Sequence, residues 1–288
     1  MILLTGVTGK TGGETAQQLL QKGARLRALV RDESKAADLK AAGVELVVGD
    51  VSDADTVQRA LKGAEKAFLT LPNGQHQLEQ EKQFTDLAVA AGVKHLVKMS
   101  SMEAVAHAET PIPRAHWAAE EYIRASGLAW TMIKPNFFMQ NLLASAAGIR
   151  TNRRFSLPMG NGTTGMADIR DIGAVCAEVL TGPGPAGKGH AGQSYEITGP
   201  EVLTFHAVAE RFTAVLGAKV EYVPMPMDQF RARMTGVLEP WHLNAVCELF
   251  REIAETGLEH TTDTFKRLIG REPTSVTQFI QDHMTLLK

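Results

Sequence analysis

The chain opens MILLTGVTGKTGG: an apolar run, Met1 to Leu4, then Gly6, Gly9 and Gly12 at three-residue spacing, then a helical pattern. This reads as a nucleotide-binding β-turn-α unit. A buried parallel strand ends, the chain turns where a Cβ would obstruct a pyrophosphate, and a helix begins with its free N–H groups facing the anion. Gly6 is expected to serve the tight turn, Gly9 the close approach and Gly12 the packing of helix on strand, while Thr8, Lys10 and Thr11 offer donors beside the phosphates. Three spaced glycines also occur in ordinary loops, so the surrounding sequence has to carry the reading.

RLRALV, residues 25–30, forms a second apolar strand at βαβ distance, and the position at its tip usually contacts the adenosine ribose. Here that position is Arg31. A carboxylate would accept bonds from a ribose 2′-hydroxyl, whereas a guanidinium presents a two-pronged donor face to a 2′-phosphate. The expectation is therefore NADP(H) over NAD(H), with Lys35 as a second cation for the same phosphate. Asp32 could still reach a free hydroxyl, and Arg31 and Lys35 could equally be solvated surface charges.

Strand and helix alternate for the first half of the chain. VELVV (44–48), KAFLTL (66–71), KHLVKM (94–99) and LAWTMI (128–133) are short apolar runs separated by helical patterns such as QFTDLAVAAG. Such spacing predicts a Rossmann-type doubly wound parallel α/β sheet of order 3-2-1-4-5-6. Every strand then delivers its C-terminal residues to one rim. Asp50 and Val51 are expected at the adenine, Thr70, Leu71 and Pro72 beside the nicotinamide ribose, and Ser100, Pro135, Asn136 and Phe137 near the nicotinamide. Taken singly, each is also an ordinary turn or cap residue.

Composition excludes several classes. The net charge is −2 over 288 residues with both signs interspersed, and no basic stripe or zinc-ligand spacing argues for nucleic acid or a metal. No stretch approaches the ~20 apolar residues of a membrane span, and a cytoplasmic protein is expected. Cys176 and Cys247 stand far apart and read as reduced, buried thiols. Pairing into a homodimer through helices flanking the sheet stays open.

TGVTGKTG, ALVRD, VVGDV, AGVKHLVKMSS and IKPNFFMQNLL, in this order and spacing, with MADIRDIGAV and YEITGP further on, resemble the NmrA-like branch of the atypical short-chain dehydrogenase/reductases over nearly the whole chain. The resemblance implies an NAD(P)H-dependent quinone, azo-dye or triarylmethane-dye reductase. It equally admits a regulator that binds dinucleotide without turnover, acting as a redox sensor on a protein partner. Short-chain dehydrogenases that oxidise alcohols carry Tyr-x-x-x-Lys on the helix after strand 5. Here RAHWAAEEYIRASG places His116 and Glu120 at that spacing and no lysine.

On a helix His116 and Glu120 share a face. The carboxylate could orient the imidazole as a proton donor near neutral pH, or the pair could be a plain helix contact. Quinones, azo bonds and cationic dyes take hydride into a delocalised system, so a strong built-in acid is not required. Phe138 and Met139 are expected to line a greasy pocket for such a small-molecule aromatic acceptor, unless they merely pack the helix on the sheet.

After residue 150 the alternation loosens. DIGAVCAEVLT reads as a helix capped by Asp171, residues 182–192 as a Gly/Pro-rich loop, QSYEITG as a returning strand, KVEYVP as an edge strand and 240–256 as a helix with an apolar stripe. The expected organisation is an NADP(H)-binding domain over 1–150 and a smaller, mostly helical substrate lobe over 151–288 that returns some segments to the sheet and closes over the nicotinamide.

Overall fold

A computed structural model of the protein describes residues 1–258 and 260–288. The first half runs β1 (Ile2–Leu4), α1 (Lys10–Gln21), β2 (Leu26–Val30), α2 (Ala37–Ala41), β3 (Glu45–Val48), α3 (Ala54–Leu61), β4 (Lys66–Leu69), α4 (Gln77–Ala90), β5 (His95–Met99), α5 (Pro111–Ala125) and β6 (Ala129–Pro135). There follow α6 (Ala146–Asn152), β7 (Arg154–Phe155), β8 (Thr163–Thr164), α7 (Ile169–Thr181), β9 (Gln193–Ile197), β10 (Leu203–Thr204), α8 (Phe205–Leu216), β11 (Glu221–Tyr222), α9 (Met227–Met234) and α10 (Pro240–Thr256), then three short helices.

The main sheet has the order β3-β2-β1-β4-β5-β6-β9. Its first six strands are parallel and stand in the order the apolar runs predict. The seventh is QSYEITG, beside β6, where Gly192 N–H donates to Trp130 O at 2.7 Å. Parallel strands need both faces covered, which is why β1 and β4 are apolar at nearly every position and β5 is buried at all of them. Leu3, Leu69, Leu96 and Met132 meet Val57, Ala60, Phe84, Ala88 and Ile123 in one core. Fully burying a side chain such as Phe84 contributes about 2–3 kcal/mol.

The chain divides into two compact units: Met1–Ala108 with Pro113–Lys134 and Ile169–Glu196, and Glu109–Ile112 with Pro135–Asp168 and Ile197–Lys288. The first contains the strands β1 to β6, with α7 packed on α1. The second has its own core, in which Met139, Leu142, Ile149, Phe205, Phe212 and Phe279 are buried.

Three local expectations are corrected. Asp171 does not cap α7, which begins two residues earlier, at Ile169, so that the aspartate is buried within the first turn. KVEYVP yields only the two-residue β11, paired with β7 outside the main sheet. The segment after β6, read as a helix packed on the sheet, starts instead as a 3-10 turn, Met139–Ser145, before α6. Helix 240–256 forms as α10, opened by Pro240 and capped by Glu239. Among the described residues no helix is long and apolar enough to cross a membrane, and no group of three or more His, Cys, Asp or Glu side chains could hold a metal.

Candidate active site

The loop between β1 and α1 is built by backbone crowding. Gly6 has φ +64°, and a Cβ there would lie 2.7 Å from Thr70 O; a Cβ on Gly12 would lie 2.2 Å from Gly6 O. Both positions therefore demand glycine. Gly9 is the N-cap of α1 in an extended conformation and offers no side-chain cap to the helix. Thr8, Gly9 and Lys10 are exposed, whereas Thr11 is buried. An open helix N-terminus behind a close-packed glycine turn suits an anion, because orphan donors and the helix dipole point the same way.

Sequence reasoning missed Thr5. Its hydroxyl accepts from Thr70 N–H at 2.8 Å and donates to Thr70 O at 2.9 Å, which ties the tip of β1 to the tip of β4 where the strand order reverses. A hydroxyl residue immediately before the glycine turn was the available signal. Thr70 is thus fixed, with Leu71 half-buried and Pro72 exposed after it.

Beyond β2, Arg31 is exposed, and Lys35 is exposed on the 3-10 turn Glu33–Ala36. Asp32 caps that turn by accepting from Ser34 N–H at 3.0 Å, so its carboxylate has a structural task. After β3, Asp50 Oδ1 accepts from both the backbone N–H and the hydroxyl of Ser52, at 2.9 and 2.7 Å. The Ser52 bonds hold the Asp50 carboxyl below its ordinary range, and Arg31 adds a smaller pull. Val51 follows, half-buried.

Two polar clusters occupy the ends of β5 and β6 against α5. In one, Ser100 Oγ donates to Glu120 Oε1, Arg124 donates to Glu120 Oε2 at 2.7 Å, and Lys134 Nζ lies 3.5 Å from Glu120 Oε1 while donating to Ala104 O at 2.6 Å. In the other, Lys98 Nζ reaches Glu81 Oε1 at 2.9 Å, Met99 O at 2.9 Å and His116 Nδ1 at 3.0 Å. Gln77 Nε2 stands 3.4 Å from the same ring nitrogen.

His116 and Glu120, expected to form one pair, therefore take different partners. Burial first, then the charges of Lys98 and Lys134, hold the imidazole well below its ordinary value. It is neutral at pH 7. Lys98, fully buried at these contacts, is a residue that the sequence reading did not single out; a lysine inside a strand buried at every position was the signal.

In the second unit, Asn136 Oδ1 accepts from Phe137 N–H at 2.6 Å, while its Nδ2 is buried without an acceptor among the described residues. Pro135, which ends β6, is buried. Phe137 packs edge-on against Phe205, ring centroids 5.8 Å apart. Phe138 is half-buried and bridges to Ala167, and Met139, expected on a pocket wall, is fully buried in the core of this unit.

A doubly wound parallel sheet with a glycine-built turn at the strand-order reversal defines the Rossmann-type NAD(P)-binding class. Within that class the chain belongs to the NmrA-like family, whose model matches residues 1–280. It is 35% identical over 286 residues to the NAD(P)H azoreductase of Xenophilus azovorans, covering 98% of each chain. It is 33% identical to the (4-alkanoyl-5-oxo-2,5-dihydrofuran-3-yl)methyl phosphate reductase of Streptomyces griseus, again over 98% of each. The crystal structure of the NADPH-dependent quinone oxidoreductase QOR2 of Escherichia coli complexed with NADPH matches with a TM-score of 0.86 at 26% identity, covering 99% of this chain and 100% of that one.

Proposed function

We propose that this protein is an NADPH-dependent reductase that delivers hydride to a quinone-like, azo or other conjugated aromatic acceptor. It is an NAD(P)H-dependent reductase of the atypical short-chain type, and the finer reading concerns the choice of NADPH and the class of acceptor. The carrying observation is the β1–α1 loop, where a Cβ on Gly12 would lie 2.2 Å from Gly6 O and the N-cap of α1, Gly9, leaves the helix without a side-chain cap. That cradle fits a pyrophosphate, and the exposed Arg31 at the tip of β2 suits a 2′-phosphate.

When bound, the dinucleotide supplies the hydride. Gly6, Thr8, Gly9, Lys10, Thr11 and Gly12 hold its pyrophosphate, with Arg31 and Lys35 at the 2′-phosphate and Asp50 and Val51 at the adenine. Thr70, Leu71, Pro72 and Ser100 are assigned to the nicotinamide end. Asn136, whose Nδ2 lacks an acceptor among the described residues, is suited to a ligand carbonyl. The helix position of the alcohol-dehydrogenase tyrosine is held by His116, a neutral imidazole, which favours acceptors that need no strong acid. Glu120 positions Ser100 and Lys134 beside it.

The test is steady-state oxidation of NADPH, with NADH in parallel, against quinones, azo dyes and triarylmethane dyes. The expected result is turnover with at least one acceptor and a lower KM for NADPH than for NADH. Tight nucleotide binding by calorimetry without turnover on any of them would replace the enzyme by a dinucleotide sensor.

A further inference from the structure

Lys98 is fully buried in β5, and its ammonium has three N–H donors and no lone pair. Its three acceptors are Glu81 Oε1 at 2.9 Å, Met99 O at 2.9 Å and His116 Nδ1 at 3.0 Å. Every donor is taken, and Nδ1 can only accept the third. A neutral imidazole that accepts at Nδ1 carries its proton on Nε2. Gln77 reinforces this polarity: its Nε2 donates to Glu81 Oε1 at 3.2 Å and faces the same Nδ1, so two donors and no acceptor approach that nitrogen.

We infer that Lys98, held by Glu81, is a positioning residue that fixes His116 as a neutral imidazole with its proton on Nε2, so that the histidine serves the reaction as an N–H donor and not as an acid. The catalytic half of this statement rests on the reductase reading. In that reaction the C4–H bond of the reduced nicotinamide breaks, its hydride forms a new C–H or N–H bond on the acceptor, and the displaced π electron pair settles on an acceptor oxygen or nitrogen. A fixed neutral N–H stabilises that forming anion, and water supplies the proton that completes the product.

The groups facing His116 come from every element around it. Gln77 and Glu81 approach from α4, Lys98 from β5, Lys134 from β6 and Glu120 from the next turn of α5 itself. The two lysines oppose a second proton on the ring. Of the two carboxylates, Glu81 is engaged through Oε1 by Lys98 and Gln77 while its Oε2 is buried with no partner among the described residues, and Glu120 is engaged by Ser100, Arg124 and Lys134. Without Lys98, the freed Glu81 Oε1 and the unpartnered Gln77 Oε1 become acceptors for a proton on Nδ1.

Two-bond 1H–15N correlation spectra of the full chain labelled with 15N-histidine, recorded without nucleotide from pH 5 to 9, read the tautomer directly. The His116 peaks are identified by their loss in His116→Gln. The wild-type protein is expected to show the neutral Nε2–H pattern at every pH in this range. Lys98→Met should convert it to the Nδ1–H or the doubly protonated pattern, and add a step in the same pH range to the profile of kcat. Lys98→Met combined with Glu81→Gln removes both buried charges, keeps the test available if the single variant does not fold, and should likewise abolish the pure Nε2–H pattern. A wild-type ring with its proton on Nδ1, or doubly protonated at pH 7, overturns the inference, as does a pattern unmoved in either variant. Absence of turnover on every acceptor, beside the expected spectra, would instead sink the reductase reading and leave the tautomer assignment standing.

Discussion

In the proposed reading, Arg31 is the single side chain that would decide between two cofactors. It projects from the tip of β2, exposed, and its charge is felt at Asp50. A hydrogen-bonded guanidinium–phosphate contact is worth about 1.5–3 kcal/mol, or on the order of 10- to 100-fold in affinity. Arg31→Ala is therefore expected to weaken NADPH binding by about that factor while leaving NADH binding nearly unchanged, as measured by calorimetry on the two nucleotides side by side. Equal affinities for NADPH before and after substitution would remove Arg31 from the cofactor. The tight turn at Gly6, Gly9 and Gly12 was legible in the sequence because the glycine spacing itself marks it, Gly12 packing on Gly6 six residues away. Lys98 and Thr5 were not. The partners of Lys98 lie on α4 and α5, Glu81 being 17 residues upstream, and Thr70 lies 65 residues from Thr5, so only the folded sheet brings each pair together.

Among the elements, those whose hydrophobic pattern is dictated by burial on two faces were readable. β1 to β6 appear as apolar runs, and their order follows from right-handed crossovers, so the rim that carries the glycine loop could be placed before any coordinate was known. The segment after β6 was harder. MQNLLAS has the composition of a helix yet folds as a 3-10 turn, because Met139 and Leu142 are drawn into a core assembled from residues far along the chain. For α1 the decisive contact is with its own preceding turn. A side chain at Gly12 has to displace Gly6 O, a backbone atom held in place by the Gly9 N–H at 2.9 Å. Gly12→Val is expected to push α1 away from β1 at a cost of about 1–3 kcal/mol. Binding of NADPH should fall by at least about 100-fold, since an anion site made of backbone N–H groups has no side chain to compensate. Thermal unfolding and calorimetry on the same preparation separate the two effects: a lowered midpoint with wild-type affinity would show that the turn does not hold the pyrophosphate.

At the scale of the whole molecule, several histidines share one electrostatic character: the fold keeps them neutral. Burial above all, then Lys66 and His190, pushes His95 down to about 4. His116, His190 and His242 are lowered as well, each chiefly by burial. His95 bonds Thr131 Oγ1 at 2.8 Å, that hydroxyl donates to His190 O at 2.6 Å, and His190 Nδ1 pairs with Tyr195 OH at 3.0 Å, so the start of β5, β6 and the segment leading to β9 share one network. In the unfolded chain these rings take up protons near pH 6.5, and in the native protein only at lower pH, so below that pH the unfolded state binds more protons and stability falls with pH. Above pH 7 the rings are neutral in both states and contribute no slope. A ring that stays neutral in the fold costs about 2 kcal/mol at pH 5, and the loss through His95 ends near its folded value of about 4. The lowered carboxyls of Asp50 and Asp53 add their own loss at more acidic pH, beginning where the unfolded carboxyls protonate in the ordinary range and ending below it. The urea midpoint of the nucleotide-free protein is thus expected to be level from pH 7 to 8 and to drop steadily from pH 6.5 to 4.5. His95→Gln should flatten part of that slope while costing some stability at neutral pH. A midpoint that is constant, or that rises toward pH 5, would mean that these rings are protonated in the native state, and the neutral character assigned to His116 would fall with the rest.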